Sequence, residues 1–221
     1  ETWPAIKTAL GYQIGSTRDE LPAQYQVTSD LIAKAPKLLA VCTHGAGYDT
    51  VDADACTEAG IIVCNQAGEN REAVAEHALG MMLSLGKNIF KADRRMRSDR
   101  DWNRNQFIGQ DMLGKTVGII GLGHIGSRVA ELCGQLFRMR VLAYDPYLSP
   151  EEFKAKGAEP TPLDELLAEA DYVTVHTPRN EETRGMFGTR EFSLMKESAY
   201  FVITARGGIV EEAALADALK S

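Results

Sequence analysis

The sequence predicts an α/β protein built on a doubly wound parallel sheet. Three observations carry that prediction. Short apolar runs alternate with helix-period segments throughout the chain. Most runs are closed by loops marked with glycine or proline. The β-branched run 117–120 ends in Gly121-x-Gly123-x-x-Gly126 and leads into apolar residues at helical spacing as far as Leu132.

Composition sets the outer bounds. At 221 residues, 44% hydrophobic and 25% charged, the chain reads as globular, with room for one large or two modest domains. No apolar run approaches the ~20 residues that span a bilayer, so no membrane partner is expected. A net charge of −7 argues against nucleic acid, which calls for a basic surface. The local cluster Arg94, Arg95, Arg97 and Arg100 is interleaved with Asp93, Asp99 and Asp101 and reads as a solvated helix face or subunit contact. Cys42, Cys56, Cys64 and Cys133 lack Cys-x-x-Cys or zinc-ligand spacing, which predicts free, mostly core thiols in a reducing cytoplasm and no metal.

Taken in order, residues 32–39 read as a helix tail and turn leading into a strand over 38–42. The loop Thr43-His44-Gly45-Ala46-Gly47 follows. Loops at this end of a parallel strand hold ligands in open α/β sheets, and a glycine-punctuated one can offer backbone N–H groups to an anion; a plain strand-to-helix turn is the alternative. A short helix over 51–59 is stopped by Gly60, and 61–64 is a buried strand. A domain boundary is placed near residues 68–70, giving domains 1–69 and 70–221.

A long helix is predicted over 71–97, with Ala73, Val74, His77, Met81, Leu85 and Phe90 on its packed face and His77 hydrogen-bonded within it. Residues 102–114 read as a loop anchored by Trp102 and Phe107. Beyond Asp145, Pro146 and Pro150 are expected to interrupt regular structure, and Pro162 to sit near the start of a helix over 163–170. Strands follow at 171–176 and 199–204, with a turn and helix at 187–195 between them and a last helix from Glu211 to Leu219.

The Gly121–Gly126 turn carries chemistry because its glycines serve separate needs: Gly121 the tight turn, Gly123 close approach of backbone to a pyrophosphate, Gly126 close helix-to-strand packing. Helix-start N–H groups then face the diphosphate. The next strand, 140–145, ends in Asp145, an acid about 20 residues downstream, as ribose recognition requires. A dinucleotide site is therefore predicted.

Several motifs in order resemble those of the D-isomer-specific 2-hydroxyacid dehydrogenase family. They are His44-Gly45-Ala46-Gly47-Tyr48-Asp49 with Val51-Asp52, Asn70 with Val74-Ala75-Glu76-His77, Leu113-Gly114-Lys115 running into the glycine turn, His176-Thr177-Pro178 with Glu182-Thr183, Met195-Lys196, and Ala205-Arg206-Gly207-Gly208-Ile209-Val210-Glu211. The resemblance implies a Rossmann NAD-binding domain, a partial flavodoxin-like substrate domain, and hydride transfer between NAD and a small 2-keto or D-2-hydroxy acid. It implies substrate contacts at Gly45, Ala46, Gly47 and Asn70, with His44 either touching a polar substituent or standing on the rim. Arg206 becomes the catalytic arginine that grips carboxylate and carbonyl, and also borders the cofactor.

Further cofactor contacts are implied at Gly121, Gly123, His124, Ile125, Gly126, Asp145, His176, Thr177, Pro178, Thr183, Thr204 and Ala205. Asp145, with Tyr147 where a 2′-phosphate would want arginine, favours NAD over NADP. His176 is implied to be a pocket wall. The resemblance further implies a homodimer through the long helix, a clipped start, and a catalytic His and Glu beyond the segment around Arg206, where the sequence stops at Ser221. A dinucleotide-sensing corepressor on the same fold, or formate or phosphite oxidation, are the competing expectations.

Overall fold

The computed structural model describes residues 4–98 and 101–220. Asp99 and Arg100 of the charged cluster lie outside them. The chain divides at Asn70/Arg71 into two compact units.

The first unit is a three-stranded parallel sheet in the order β1-β2-β3, with β1 at Gly11–Gly15, β2 at Ala40–His44 and β3 at Ile62–Cys64. Helices α1 (Ser29–Lys34) and α2 (Ala53–Glu58) supply the connections. The Asp52 carboxylate caps α2 by accepting from the Ala55 N–H at 3.0 Å. The core gathers Ile14, Val27, Leu31, Val41, Cys56 and Ile61. β2 begins two residues later than expected, because Leu38 is drawn into this core while Leu39 faces outward. His44 is therefore the last residue of a strand and not part of the loop.

The second unit opens with α3 (Arg71–Gly86) and α4 (Ile89–Ser98). It continues as β4 (Thr116–Ile120), α5 (His124–Phe137), β5 (Arg140–Tyr144), α6 (Pro150–Ala155), β6 (Glu159–Pro160) and α7 (Leu163–Glu169). It then runs through β7 (Tyr172–Val175), α8 (Thr189–Leu194), β8 (Tyr200–Ile203) and α9 (Glu212–Ala218). All five strands are parallel, in the order β6-β5-β4-β7-β8. Alternation assigns the faces: Val117, Ile119, Val141 and Ala143 join the core with Met82, Val129, Cys133 and Phe153. Ile120, Leu142, Val173 and Val175 join a second core with Leu166, Leu167, Phe187 and Ile209. A parallel sheet needs both faces covered, and here both are.

Several expectations are corrected. The predicted long helix is two helices. The carbonyl of Gly86 accepts from the Gln110 N–H at 2.7 Å, and the backbone at Gly109 lies so close that a Cβ there would meet the Gly86 oxygen at 2.2 Å. The crossing segment thus takes the helix's terminal carbonyl, and Asn88 turns the chain with φ +54°. The packed face of α3 is Ala75, Ala78, Leu79 and Met82, while Ala73, His77 and Leu85 are exposed. His77 is a surface residue. Apolar side chains lie all round α3, so periodicity could not choose the face.

Trp102 and Phe107 pack edge-on with ring centroids 6.1 Å apart, but Trp102 is exposed and neither joins a core cluster. Cys42 and Cys64 are exposed; Cys56 and Cys133 are the core thiols. Burial pushes the Cys133 thiol up to about 12. Pro150, expected to interrupt structure, is the first residue of α6. Ser149 and Glu152 form a reciprocal capping box there, and proline at the first helical position forfeits no hydrogen bond.

One core residue is poorly matched to its place. Tyr172 is 1% exposed and its hydroxyl makes no hydrogen bond among the described residues. Tyr172→Phe removes a buried unsatisfied group while keeping the ring, and is expected to raise stability by about 1 kcal/mol. A urea midpoint equal to or below the parent's would refute this.

Candidate functional site

The strand order reverses between β4 and β7: the chain first builds outward through β5 and β6, then returns to start β7 on the other side of β4. Crevices outside the C-terminal ends of strands at such a point are where open α/β sheets take ligands. A cleft of about 440 Å³ lies there, lined by residues from the ends of β4, β5 and β7.

The glycine turn forms one side. Gly121 has φ +88°, and a Cβ on it would press within 3.0 Å of the His176 backbone and Thr177 Cγ2. At Gly126 a Cβ would lie 2.0 Å from the Gly121 carbonyl oxygen, so α5 packs against the turn at a distance only glycine allows. Gly123 differs, since a Cβ there would meet nothing within 4 Å. As N-cap of α5 it supplies no side-chain cap. Among the described residues the N–H groups of His124 and Ile125 make no hydrogen bond, so the positive end of a 14-residue helix faces open space.

Asp145 forms the adjoining side. Its Oδ2 accepts from the Leu122 N–H at 2.9 Å and its Oδ1 from the Tyr147 N–H at 3.1 Å. The carboxylate is aimed by backbone from both loops, and each oxygen keeps acceptor capacity for a further donor. The third wall is His176-Thr177-Pro178 with Thr183, whose hydroxyl donates to the Pro178 carbonyl at 2.6 Å. Thr177 Oγ1 is buried with no partner among the described residues, a polar atom that lacks a ligand's hydrogen bond. An open diphosphate cradle, an aimed carboxylate and an orphaned hydroxyl fit a dinucleotide.

His176 is half-buried in the wall of the cleft, with Nε2 2.9 Å from the Thr174 hydroxyl and Nδ1 3.4 Å from that of Thr204. Burial lowers its pKa from 6.5 to about 4, so the ring is neutral and links the ends of β7 and β8. Between pH 6.5 and 4 the unfolded chain binds a proton that the folded one refuses, so stability falls as pH drops through that window, by up to ~3 kcal/mol. Urea midpoints at pH 7 and pH 5 should show the loss. His176→Gln should flatten it, and an unchanged slope would refute the assignment.

Thr204, Ala205 and Arg206 line a separate cleft of about 400 Å³ at the end of β8. Arg206 is partly buried, and its Nη1 donates to the Ala205 carbonyl at 2.9 Å. In the first unit, the Gly45 N–H is taken by Gln66 Oε1 at 3.1 Å, and the Ala46 carbonyl accepts from Asn65 Nδ2 at 2.9 Å. The Gly45 N–H is thus engaged within the unit. Among the described residues the N–H groups of Ala46 and Gly47 make no hydrogen bond. Asn70 Oδ1 is buried without a partner among the described residues. Sequence reasoning did not place Asn180, Glu182 or Met186 in the cofactor cleft. Glu182 stands beside Thr183 in a quoted motif, yet nothing local announces which way it points. No group of three or more His, Cys, Asp or Glu among the described residues is placed to hold a metal.

Fold and cleft together define a dinucleotide-binding α/β protein. Residues 79–221 match the D-isomer specific 2-hydroxyacid dehydrogenase, NAD binding domain; the chain belongs to that family, and this part of it is an NAD-binding domain. It is 42% identical over 199 residues to D-3-phosphoglycerate dehydrogenase of Archaeoglobus fulgidus, covering 90% of this chain and 37% of that protein. The chain thus spans under half the length of that relative.

Among solved structures it resembles D-lactate dehydrogenase from Aquifex aeolicus complexed with NAD and lactic acid. The TM-score is 0.83 and the identity 34%, covering 98% of this chain and 62% of that one. An acyclic imino acid reductase in complex with NADPH and D-Arg is also similar, with TM-score 0.84 and 27% identity, covering 98% of this chain and 66% of that one.

Proposed function

We propose that the protein is an NAD-dependent oxidoreductase that interconverts a 2-keto acid and its D-2-hydroxy acid. The observation that carries this reading is the cleft at the strand-order reversal, where the uncapped start of α5, the open position at Gly123 and the aimed Asp145 carboxylate lie together. When bound, NADH supplies hydride. The chain's own residues bind and orient: the N–H groups of His124 and Ile125 hold the diphosphate, and Asp145 accepts from the ribose hydroxyls. Thr204 and Ala205 border the nicotinamide.

Ala46 and Gly47 offer N–H groups to the substrate carboxylate, and Asn70 is assigned to the substrate as well. Arg206 suits the remaining task because a guanidinium stays charged and offers parallel donors. It orients the keto group and stabilises negative charge growing on its oxygen. His176, neutral and half-buried, is no proton donor in this scheme; the proton taken up by the carbonyl oxygen comes from a histidine of the full-length protein, as the family resemblance implies.

We assign the domains as 1–69 for substrate and 70–221 for cofactor, and the partner as a second copy of the chain. Ile89, Phe90 and Met96 on α4 are large exposed apolar residues of the kind that mark such contacts. Among the described residues no helix is long and apolar enough to cross a membrane. We place the protein in the cytoplasm, where exposed thiols such as Cys42 and Cys64 stay reduced. Calorimetric titration of the chain with NADH, and NADH oxidation by the full-length protein with pyruvate, hydroxypyruvate and glyoxylate, test the reading. Saturable binding and turnover of a 2-keto acid are expected; failure of both would overturn it.

A further inference from the structure

The cofactor cleft holds a second carboxylate that the ribose-recognition motif does not account for. Glu182, on the loop after β7, accepts a hydrogen bond from the hydroxyl of Tyr147, on the loop after β5. Both residues line the cleft, so the contact spans its mouth. Its two ends are built. The Tyr147 N–H donates to Asp145 Oδ1 at 3.1 Å, which ties the tyrosine to the ribose-recognising carboxylate. On the other side Asn180 Oδ1 accepts from the N–H groups of Glu182 at 3.1 Å and Thr183 at 3.0 Å. The Thr183 hydroxyl, bonded to the Pro178 carbonyl, closes that turn. Glu182 therefore leaves a braced turn and is held by the phenol of a residue whose backbone N–H is bonded to Asp145.

The charge balance of the cleft is one-sided. Among the described residues that line it, Asp145 and Glu182 are the charged ones, and no lysine or arginine is present. Arg179, close by in sequence, turns away to the Gly207 carbonyl. A 2′-phosphate on the adenosine ribose would bring its negative charge against Asp145 and find a second carboxylate where a cation is needed. The fold does not make that choice, since the similar imino acid reductase is a complex with NADPH.

We propose that Glu182, held across the cleft by Tyr147, is a specificity-determining residue that acts with Asp145 to exclude 2′-phosphorylated dinucleotides. Glu182 is the gatekeeping charge, and Tyr147 is the strap that keeps it over the ribose. The proposal rests on the NAD reading above.

Titration calorimetry of the chain with NADH and with NADPH tests it, using the parent, Glu182→Gln and Tyr147→Phe. The parent should prefer NADH. Glu182→Gln should tighten NADPH by roughly tenfold with NADH changed less than threefold. Tyr147→Phe keeps the charge but frees it, and should narrow the preference by a smaller factor. The parent's preference should also shrink as salt is raised. A merely structural role would weaken both dinucleotides together and lower the melting temperature, which overturns the proposal. So does an unchanged NADH/NADPH ratio in Glu182→Gln when the parent binds NADH. A parent that binds neither dinucleotide overturns the NAD reading itself.

Discussion

Gly123→Val is expected to leave the fold intact and weaken NADH binding by about a hundredfold or more, whereas Gly126→Ala, a smaller change three residues on, is expected to melt the protein several degrees lower. The difference follows from what each new side chain meets. Among the described residues nothing lies within 4 Å of a Cβ at Gly123, and its φ of −72° is not the left-handed conformation that favours glycine. A valine therefore costs the fold little, but its branches occupy the space where the diphosphate must reach the start of α5. Losing two hydrogen bonds to a charged group, at roughly 1.5–3 kcal/mol each, removes about 3 kcal/mol or more of affinity.

At Gly126 the added methyl would sit 2.0 Å from the Gly121 oxygen and 3.1 Å from its carbonyl carbon. Backbone cannot swing aside as a flexible side chain would, so α5 must move off the sheet. A cost of about 3 kcal/mol is in the range for such overpacking, and in a chain of this size that lowers Tm by roughly 6–12 °C. Thermal unfolding and NADH titration of both variants decide the matter. Equal melting of the two would mean that the glycines do not divide the work as proposed.

Arg206→Ala is expected to lower kcat/KM of the full-length protein for its 2-keto acid by about a thousandfold while leaving the Kd for NADH within threefold. One fixed positive charge at the reacting oxygen is worth roughly two to three orders of magnitude in rate, and the lost fork to the carboxylate raises KM as well. Arg206→Lys keeps charge but cannot form two parallel bonds, so it should recover only part of the loss. Added guanidinium should partly rescue the alanine variant and not the lysine one. Activity of Arg206→Ala within threefold of the parent would remove the arginine from the mechanism. Because Arg206 lines the cleft beyond β8 and not the one at the glycine turn, steady-state kinetics and cofactor titration separate its two assigned tasks.

Much of the architecture was legible because it rests on local rules. Alternating runs and breakers announced the strands β4, β5, β7 and β8, and the glycine spacing announced the turn into α5. Where local rules conflicted, errors followed. Pro150 was read as a breaker although Ser149 and Glu152, three residues apart, spell the capping box that starts α6. The long helix was read through Asn88 because no proline interrupts it; its end is set by the segment around Gly109 and Gln110, which packs on Gly86 from more than 20 residues away. The buried face of α3 is not legible because apolar side chains lie all round the helix, and only packing selects one face.

The sequence by itself determined the parallel α/β class, the glycine turn with an acid at the end of the next strand, and the family. Each is written in residue types and spacings that act over one or two elements. Tertiary structure decided which polar groups are already spent and which remain for a ligand. Packing put Gln66 on the Gly45 N–H, enclosed His176 enough to keep it neutral, left Thr177 Oγ1 and the start of α5 without partners among the described residues, and brought Tyr147 to Glu182 from 35 residues away. Those facts depend on distances between segments remote in the chain, and no local spacing encodes them.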